Sequence, residues 1–332
     1  MSQSSTKNKV PYHEQIANKL IEQLKQGTAP WQLPWKSGEP RMPHNPVSGT
    51  KYKGSNAIWL AMQGREDPRR MTFKQANSLD AKVMKGQHGT IVQYWKLFDK
   101  VDKTDNNGKK ILSADGKPLK QTVKLERPRV FSAVVCNAAQ IEGLPELEIK
   151  TEPDWQRHQR AEKILNNVGV AIHHDQFDNA YYSPSTDSIH LPAKAQFETA
   201  DRYLATIFHE TAHSTGHSSR LARDMTGRFG DESYAKEELR AEIASLMIGD
   251  ELQIGHDFGQ HAAYVDAWIK VLQDDPKEIL RTSRDAEKIQ QFLMRLEYEK
   301  NASKTVTTRD NKKNNVLIKE TKHAQHIESE FG

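Results

Sequence analysis

The sequence predicts an α+β chain of two domains, a small α+β unit followed by a mostly helical one. Three observations carry that expectation. Apolar residues recur at helical spacing in several segments and cluster in short strand-like runs in others. At 332 residues the chain is longer than most single cores need. Charge is also split: residues 1–150 hold 25 Lys and Arg against 14 Asp and Glu (+11), and the remainder holds 23 against 30 (−7). A basic front and an acidic back point to a polyanion partner for the first and a different task for the second.

Only 36% of residues are hydrophobic and 28% are charged, so solvated segments are expected beside the cores. The single cysteine, Cys136, excludes an intramolecular disulfide and suits a reducing cytoplasm. Met1 to Pro11 is polar and lacks a signal core, and no run approaches the roughly 18 apolar residues of a membrane span. The expected location is cytoplasmic, with no membrane partner.

In the front half, Ile16, Leu20, Ile21 and Leu24 form the stripe of an amphipathic helix that Gly27 ends. Trp31 and Trp35, set among prolines, serve either as base-stacking platforms or as a clamp on that helix. Lys51-Tyr52-Lys53 flanks an aromatic with cations at the Gly54 turn, a pattern for backbone phosphates and a stacked base or simply a charged loop. Asn56 follows in the same segment. Lys74 opens a further helix, Lys85 sits in a turn, and Thr90 to Trp95 reads as a strand. Residues 100–129 are charged and turn-rich, an exposed hairpin or mobile insertion. Four of the six tryptophans, at 31, 35, 59 and 95, lie in this basic part, the composition of a single-strand binder.

The expected boundaries are a disordered start at 1–10, a first domain at 11–146, a linker at 147–154, a second domain at 155–300 and a polar disordered tail at 301–332. In the second domain, Tyr181-Tyr182 with Ser188 to Leu191 suggests a hairpin. Phe197 to His213 is helical and carries His209-Glu210-Thr211-Ala212-His213. At 3.6 residues per turn the two histidines share a face, so they can grip one Zn²⁺, and Glu210 can take a proton from the water it activates. The extended pattern with a third histidine fails, because position 219 is Ser and His217 comes two residues early. A carboxylate from the next helix is the other solution. Glu238 and Glu242 share a face at i, i+4, whereas Glu237 is expected to turn toward solvent. Glu238 is taken as the ligand and Glu242 as the group that orients His209, the converse assignment being the alternative. Zinc is the default metal for two His and one Glu, and Mn²⁺ could substitute. His217, Arg220 and Arg223 read as loop anchors.

The motifs resemble a known family over nearly the whole chain. Gly27 to Trp35 (G-x-x-P-W-x-x-P-W), Tyr52-Lys53-Gly54-Ser55-Asn56, Thr72 to Ala76, Lys85-Gly86 with Val92 to Lys96, and Asn137 to Pro145 resemble, in order, the ArdC-type N-terminal single-stranded-DNA-binding domain. That domain also stands at the front of TraC-like primases. His209 to His217, Arg220-Leu221 and Tyr234 to Glu242 resemble the zincin-like metallopeptidase domain of the same proteins. The absence of a Toprim or helicase motif favours the two-domain form. The resemblance implies an α+β single-stranded-DNA-binding domain followed by a mostly helical zincin-like metallopeptidase domain. It further implies an antirestriction protein of a mobile element that protects incoming DNA. The candidate DNA contacts are Trp31, Trp35, Lys51, Tyr52, Lys53, Asn56, Lys74, Lys85 and Trp95. The alternatives are a cytosolic zinc metalloprotease whose basic front recruits a protein, and a DNA-binding protein with a catalytically silent zincin scaffold. The peptide or protein substrate is not specified.

Overall fold

The computed structural model describes residues 10–33, 38–39, 41–228, 230–256 and 263–299. Among these, packing groups 10–33, 39–150 and 269–284 into one unit and 38, 151–268 and 285–299 into another. No helix among the described residues is long and apolar enough to cross a membrane.

The first unit opens with α1 (Tyr12–Gln26), which buries Ile16, Ala17, Leu20 and Leu24. It stops at Gly27, whose φ of 67° is open to a glycine at little cost and returns its N–H to Gln23 and Leu24 carbonyls. After α2 (Gly54–Ala61), strand β1 (Arg70–Thr72) runs into α3 (Phe73–Asn77). Thr72 caps α3: its hydroxyl accepts the Gln75 N–H, and the Gln75 side chain accepts the Thr72 N–H. Short strands β2 (Lys82–Val83) and β5 (Ile141–Glu142) pair with each other, while β3 (Thr90–Asp102) and β4 (Lys120–Asn137) join β1 in the order β1-β4-β3. Met71, Ala76, Ala81, Cys136 and Ile141 form one core cluster, and Leu60, Val92 and Val135 another.

Of the two readings of 100–129, an exposed hairpin or a mobile insertion, the structure has the first: the segment is the distal part of a long two-stranded ribbon. Strands β3 and β4 pair from Thr90↔Val135 to Lys96↔Arg129, slip register, and pair again from Phe98↔Lys124 to Asp102↔Lys120. Beyond the core the ribbon carries Tyr94, Trp95, Leu97, Phe98, Val130 and Phe131 in exposed positions.

The second unit contains α4 (Asp154–Asn167), strands β6 (Ala171–Gln176), β7 (Tyr181–Ser183) and β8 (Ser188–Pro192), then α5 (Ala200–Ser214) and α6 (Glu232–Glu251). Helices α7 (Val265–Asp274) and α8 (Glu278–Leu296) follow in sequence, with 269–284 grouped in the first unit. The expected hairpin is the antiparallel pair β7–β8; β6 adds in parallel on the other side of β8, leaving β7 at an edge. Thr199 caps α5 by accepting the Arg202 N–H, and Leu204, Ile207, Phe208 and Ala212 are buried. Helix α5 packs on α6 and on β7 and β8. Helix α6 is enclosed on most sides, with Leu239, Ile243, Leu246 and Ile248 all fully buried. At its end a Cβ on Gly249 would lie 1.9 Å from the Gly255 carbonyl oxygen, so only glycine lets the following loop fold back against the helix.

Candidate metal centre

Helix α5 holds His209 and His213 one turn apart, with their Nε2 atoms 3.3 Å from each other. Across from them, α6 supplies Glu238, whose Oε2 is 3.8 Å from His209 Nε2 and whose Oε1 is 3.6 Å from His213 Nε2. Among the described residues this is the one group of His, Cys, Asp or Glu whose ligand atoms all lie within 4.8 Å of one another. An ion about 2.0–2.2 Å from each of three tetrahedral ligands needs them about 3.3–3.6 Å apart, so the donor set fits a zinc-sized cation with little movement.

Each histidine has a carboxylate facing its other nitrogen. Glu242 Oε2 lies 3.5 Å from His209 Nδ1, and Glu237 Oε1 lies 3.5 Å from His213 Nδ1. The placement of Glu237 corrects the sequence reading, which turned it to solvent: it is 5% exposed. A helix enclosed on most sides leaves no solvent face at that angle, and the Arg223 guanidinium meets the charge, with Nη2 donating to Oε1 at 2.6 Å and Nε to Oε2 at 3.2 Å. Arg223 also donates to Thr215 Oγ1 at 2.6 Å and to the Ala212 carbonyl at 2.9 Å, so it ties the loop after α5 to both helices. Arg220 is likewise an anchor, donating to the Ser214 carbonyl at 2.7 Å and to Asp187.

Glu242 is gripped a second time, by His256 Nε2 at 2.7 Å from Oε1, with both side chains 1% exposed. The sequence reading missed His256, since no spacing rule links it to the motif. Its only local signal is the glycine before it, which the close approach at Gly249 explains. Tyr264 was missed as well; its hydroxyl lies 3.3 Å from that of Tyr234 beside the cluster. Burial and the Glu238 charge push the Tyr234 phenol far above its ordinary range, leaving an O–H donor at neutral pH.

Burial raises the Glu210 carboxyl above its usual range, while the neighbouring histidines and the Tyr182 backbone N–H pull the other way. Glu238 goes in the opposite direction: burial opposes its charge, but His213 and His209 outweigh burial and hold it well below the carboxylate range. A proton acceptor of raised basicity thus stands beside a carboxylate that stays ionised. Both border a cavity of about 500 Å³ whose walls include the edge strand at Tyr181 and Tyr182, together with Tyr234 and Tyr264.

The candidate DNA contacts divide. Trp31 is fully buried, so it is a core residue and its ring cannot stack on a base. Asn56 is also removed from that set. Its Oδ1 accepts from Tyr12 at 2.8 Å and from the Gln93 N–H at 3.0 Å, and its Nδ2 donates to the Gln93 carbonyl at 2.7 Å. Tyr52 is half-buried and donates to the Arg70 carbonyl at 3.2 Å. Lys51, Lys53, Lys74 and Lys85 are exposed, on separate segments around α2, α3 and β2. Trp95 stands 59% exposed on the ribbon. Trp35 lies outside the described residues.

The two units and the His–Glu cluster define a two-domain protein with a zincin-like second half, and comparisons with known proteins also match the chain in two parts. Residues 11–131 match the N-terminal domain of anti-restriction factor ArdC, and residues 159–285 match a zincin-like metallopeptidase family. That second match runs through 269–284, which pack with the first unit. Two proteins named DNA primase TraC from Escherichia coli are 57% and 59% identical over 87% of this chain. The chain spans only 20% and 27% of their lengths. The antirestriction ArdC protein from plasmid R388 is similar in structure, with a TM-score of 0.65, 31% identity, and 86% of this chain and 98% of that one covered. It has been solved metal-free and with Mn(II) bound. The chain belongs to the ArdC-type antirestriction family.

Proposed function

We propose that this protein is an antirestriction factor of a mobile genetic element, acting in the cytoplasm. It binds single-stranded DNA through its basic first unit and carries a metal-dependent peptidase site in its second. The observation that supports the peptidase reading is the group of two histidines and one glutamate whose ligand atoms lie within 4.8 Å of one another, with a second carboxylate facing the other nitrogen of each histidine. His209, His213 and Glu238 hold the metal, zinc in the first instance, with Mn²⁺ able to substitute as in the R388 relative. Bound there, a divalent cation supplies a Lewis acid that polarises a carbonyl and acidifies water. Glu210 accepts the proton, and its raised affinity for one suits that task. Glu242 and Glu237 fix the tautomer and tilt of the two rings. The cavity wall argues against a phosphodiester substrate: six carboxylates line it, from Asp178, Glu210, Asp224, Glu237, Glu238 and Glu242, and, among the described residues, no lysine or arginine. A polyanion is repelled there, whereas a neutral peptide carbonyl is not.

For the first unit the supporting feature is the ribbon. Residues 90–137 contain ten Lys and Arg against five Asp and Glu. Exposed Trp95, Tyr94, Phe98 and Phe131 stand among them, the combination of stacking faces and cations that single strands require.

The decisive experiment is Glu210→Ala in the full chain. Metal content and single-stranded-DNA binding are expected to stay at wild-type levels, while protection of incoming DNA in a conjugation assay is lost. Protection retained at the wild-type level would make the second unit a metal-stabilised scaffold and end the peptidase reading.

A further inference from the structure

We infer that Asp187 and Arg220 are positioning residues for the proposed proton acceptor: together they fix Tyr182, and the Tyr182 backbone fixes the Glu210 carboxylate. The inference rests on the peptidase reading for the task of Glu210 and deepens it by naming what holds that group in place.

Strand β7 is three residues long and, among the described residues, pairs on one side only, with β8. That pairing sets its register on β8 but not its distance from α5, on which it also packs. Its middle residue meets α5 at the base. The Tyr182 backbone N–H donates to the Glu210 carboxylate, and both residues border the cavity beside the His–Glu cluster. A carboxylate that takes a proton at one defined place works only while its own hydrogen-bond donor stays put.

Arg220 and Asp187 tie β7 to α5. Arg220 Nε donates to the carbonyl of Ser214, the last residue of α5, at 2.7 Å. Its Nη1 donates to Asp187 Oδ2 at 3.1 Å and its Nη2 to Asp187 Oδ1. The same Oδ1 accepts the Tyr182 hydroxyl at 2.8 Å. One aspartate thus joins the end of α5, through Arg220, to the middle of the edge strand. The Arg220 side chain is 7% exposed, so solvent ions screen the pair little.

The backbone at Asp187 supports the same role. Its φ is 49°, in the left-handed region that an aspartate tolerates but does not favour. Such a conformation persists where surrounding contacts hold it, and here Arg220 and Tyr182 supply them. Glycine would make the turn more easily and lose both contacts. Asparagine would keep the turn and lose the charge that meets Arg220.

The test uses the full-length chain loaded with Zn²⁺. Asp187→Asn keeps a residue that accepts the left-handed backbone, and Tyr182→Phe removes only the hydroxyl. Amide exchange at residue 182, followed by NMR, is expected to quicken about tenfold in each variant and in Glu210→Ala. Adding Asp187→Asn to Glu210→Ala is expected to change that rate by less than about twofold, because the acceptor is already gone. A clamp with a merely structural role would multiply the two effects. Multiplied effects, exchange unchanged in both single variants, or loss of zinc from either variant overturns the inference. Turnover of a quenched fluorescent peptide that the wild type cleaves is the second readout. Both variants are expected to lose about 10- to 100-fold in kcat at unchanged KM, and an unchanged kcat overturns the inference too. A wild-type chain that cleaves no peptide while the exchange coupling holds sinks the peptidase reading alone.

Discussion

At the scale of single residues, the centre depends on carboxylates doing different jobs within six consecutive residues of one helix. Glu237, Glu238 and Glu242 all lie on α6 and are all buried, yet each faces a different atom: His213 Nδ1, both Nε2 atoms, and His209 Nδ1. Replacing a ligand removes a bond to the ion, whereas replacing an orienting group leaves the ion bound by a poorly aimed ring. Glu238→Ala is therefore expected to abolish metal retention through gel filtration. Glu242→Gln and His256→Ala should retain metal with affinity lowered about 10- to 100-fold. Elemental analysis with competitive chelator titration decides the matter, and metal lost from Glu242→Ala but kept by Glu238→Ala would reverse the ligand assignment.

At the scale of elements, the ribbon and the first helix use tryptophan in opposite ways. Trp31 is enclosed beside α1, and Trp95 is exposed on β3. Trp31→Ala should therefore cost stability, about 3–5 kcal/mol in denaturant unfolding, with single-strand affinity per folded molecule unchanged. Trp95→Ala should leave the unfolding midpoint in place and weaken single-strand binding by about 1–3 kcal/mol, one stacked base. The reverse pattern would move the binding surface off the ribbon. The ribbon's length was only partly visible beforehand. Turn signals at Asp105 to Gly108 and at Ala114 to Gly116 marked an exposed segment, but the pairing of Phe98 with Lys124 depends on cross-strand register that no local window contains.

At the scale of the whole molecule, the charge split sets cations and aromatic rings on the first unit and carboxylates around the cavity of the second. Single-strand binding by the full chain should accordingly weaken steeply with salt. Four neutralised phosphates would give a log–log slope near −2.8, a loss of about 50-fold between 50 and 200 mM. A flat salt response, or tighter binding to duplex, would remove the DNA reading of the first unit.

What the sequence determined by itself was everything set by short spacing. Helical periodicity put His209 and His213 on one face, the serine at 219 excluded a third histidine, and i, i+4 spacing paired Glu238 with Glu242. Charge counting separated the halves, and Gly27 marked where α1 ends. Tertiary structure alone decided which tryptophan is core, that Glu237 is buried under Arg223, and that His256 and Tyr264 reach the cluster. The physical reason is common to all of these. Burial and long-range pairing are fixed by what packs against a side chain from a distant segment: Arg223 on Glu237, or the chain folded back at Gly249 and Gly255 that delivers His256 to Glu242. Residue type and local spacing carry no record of that neighbour.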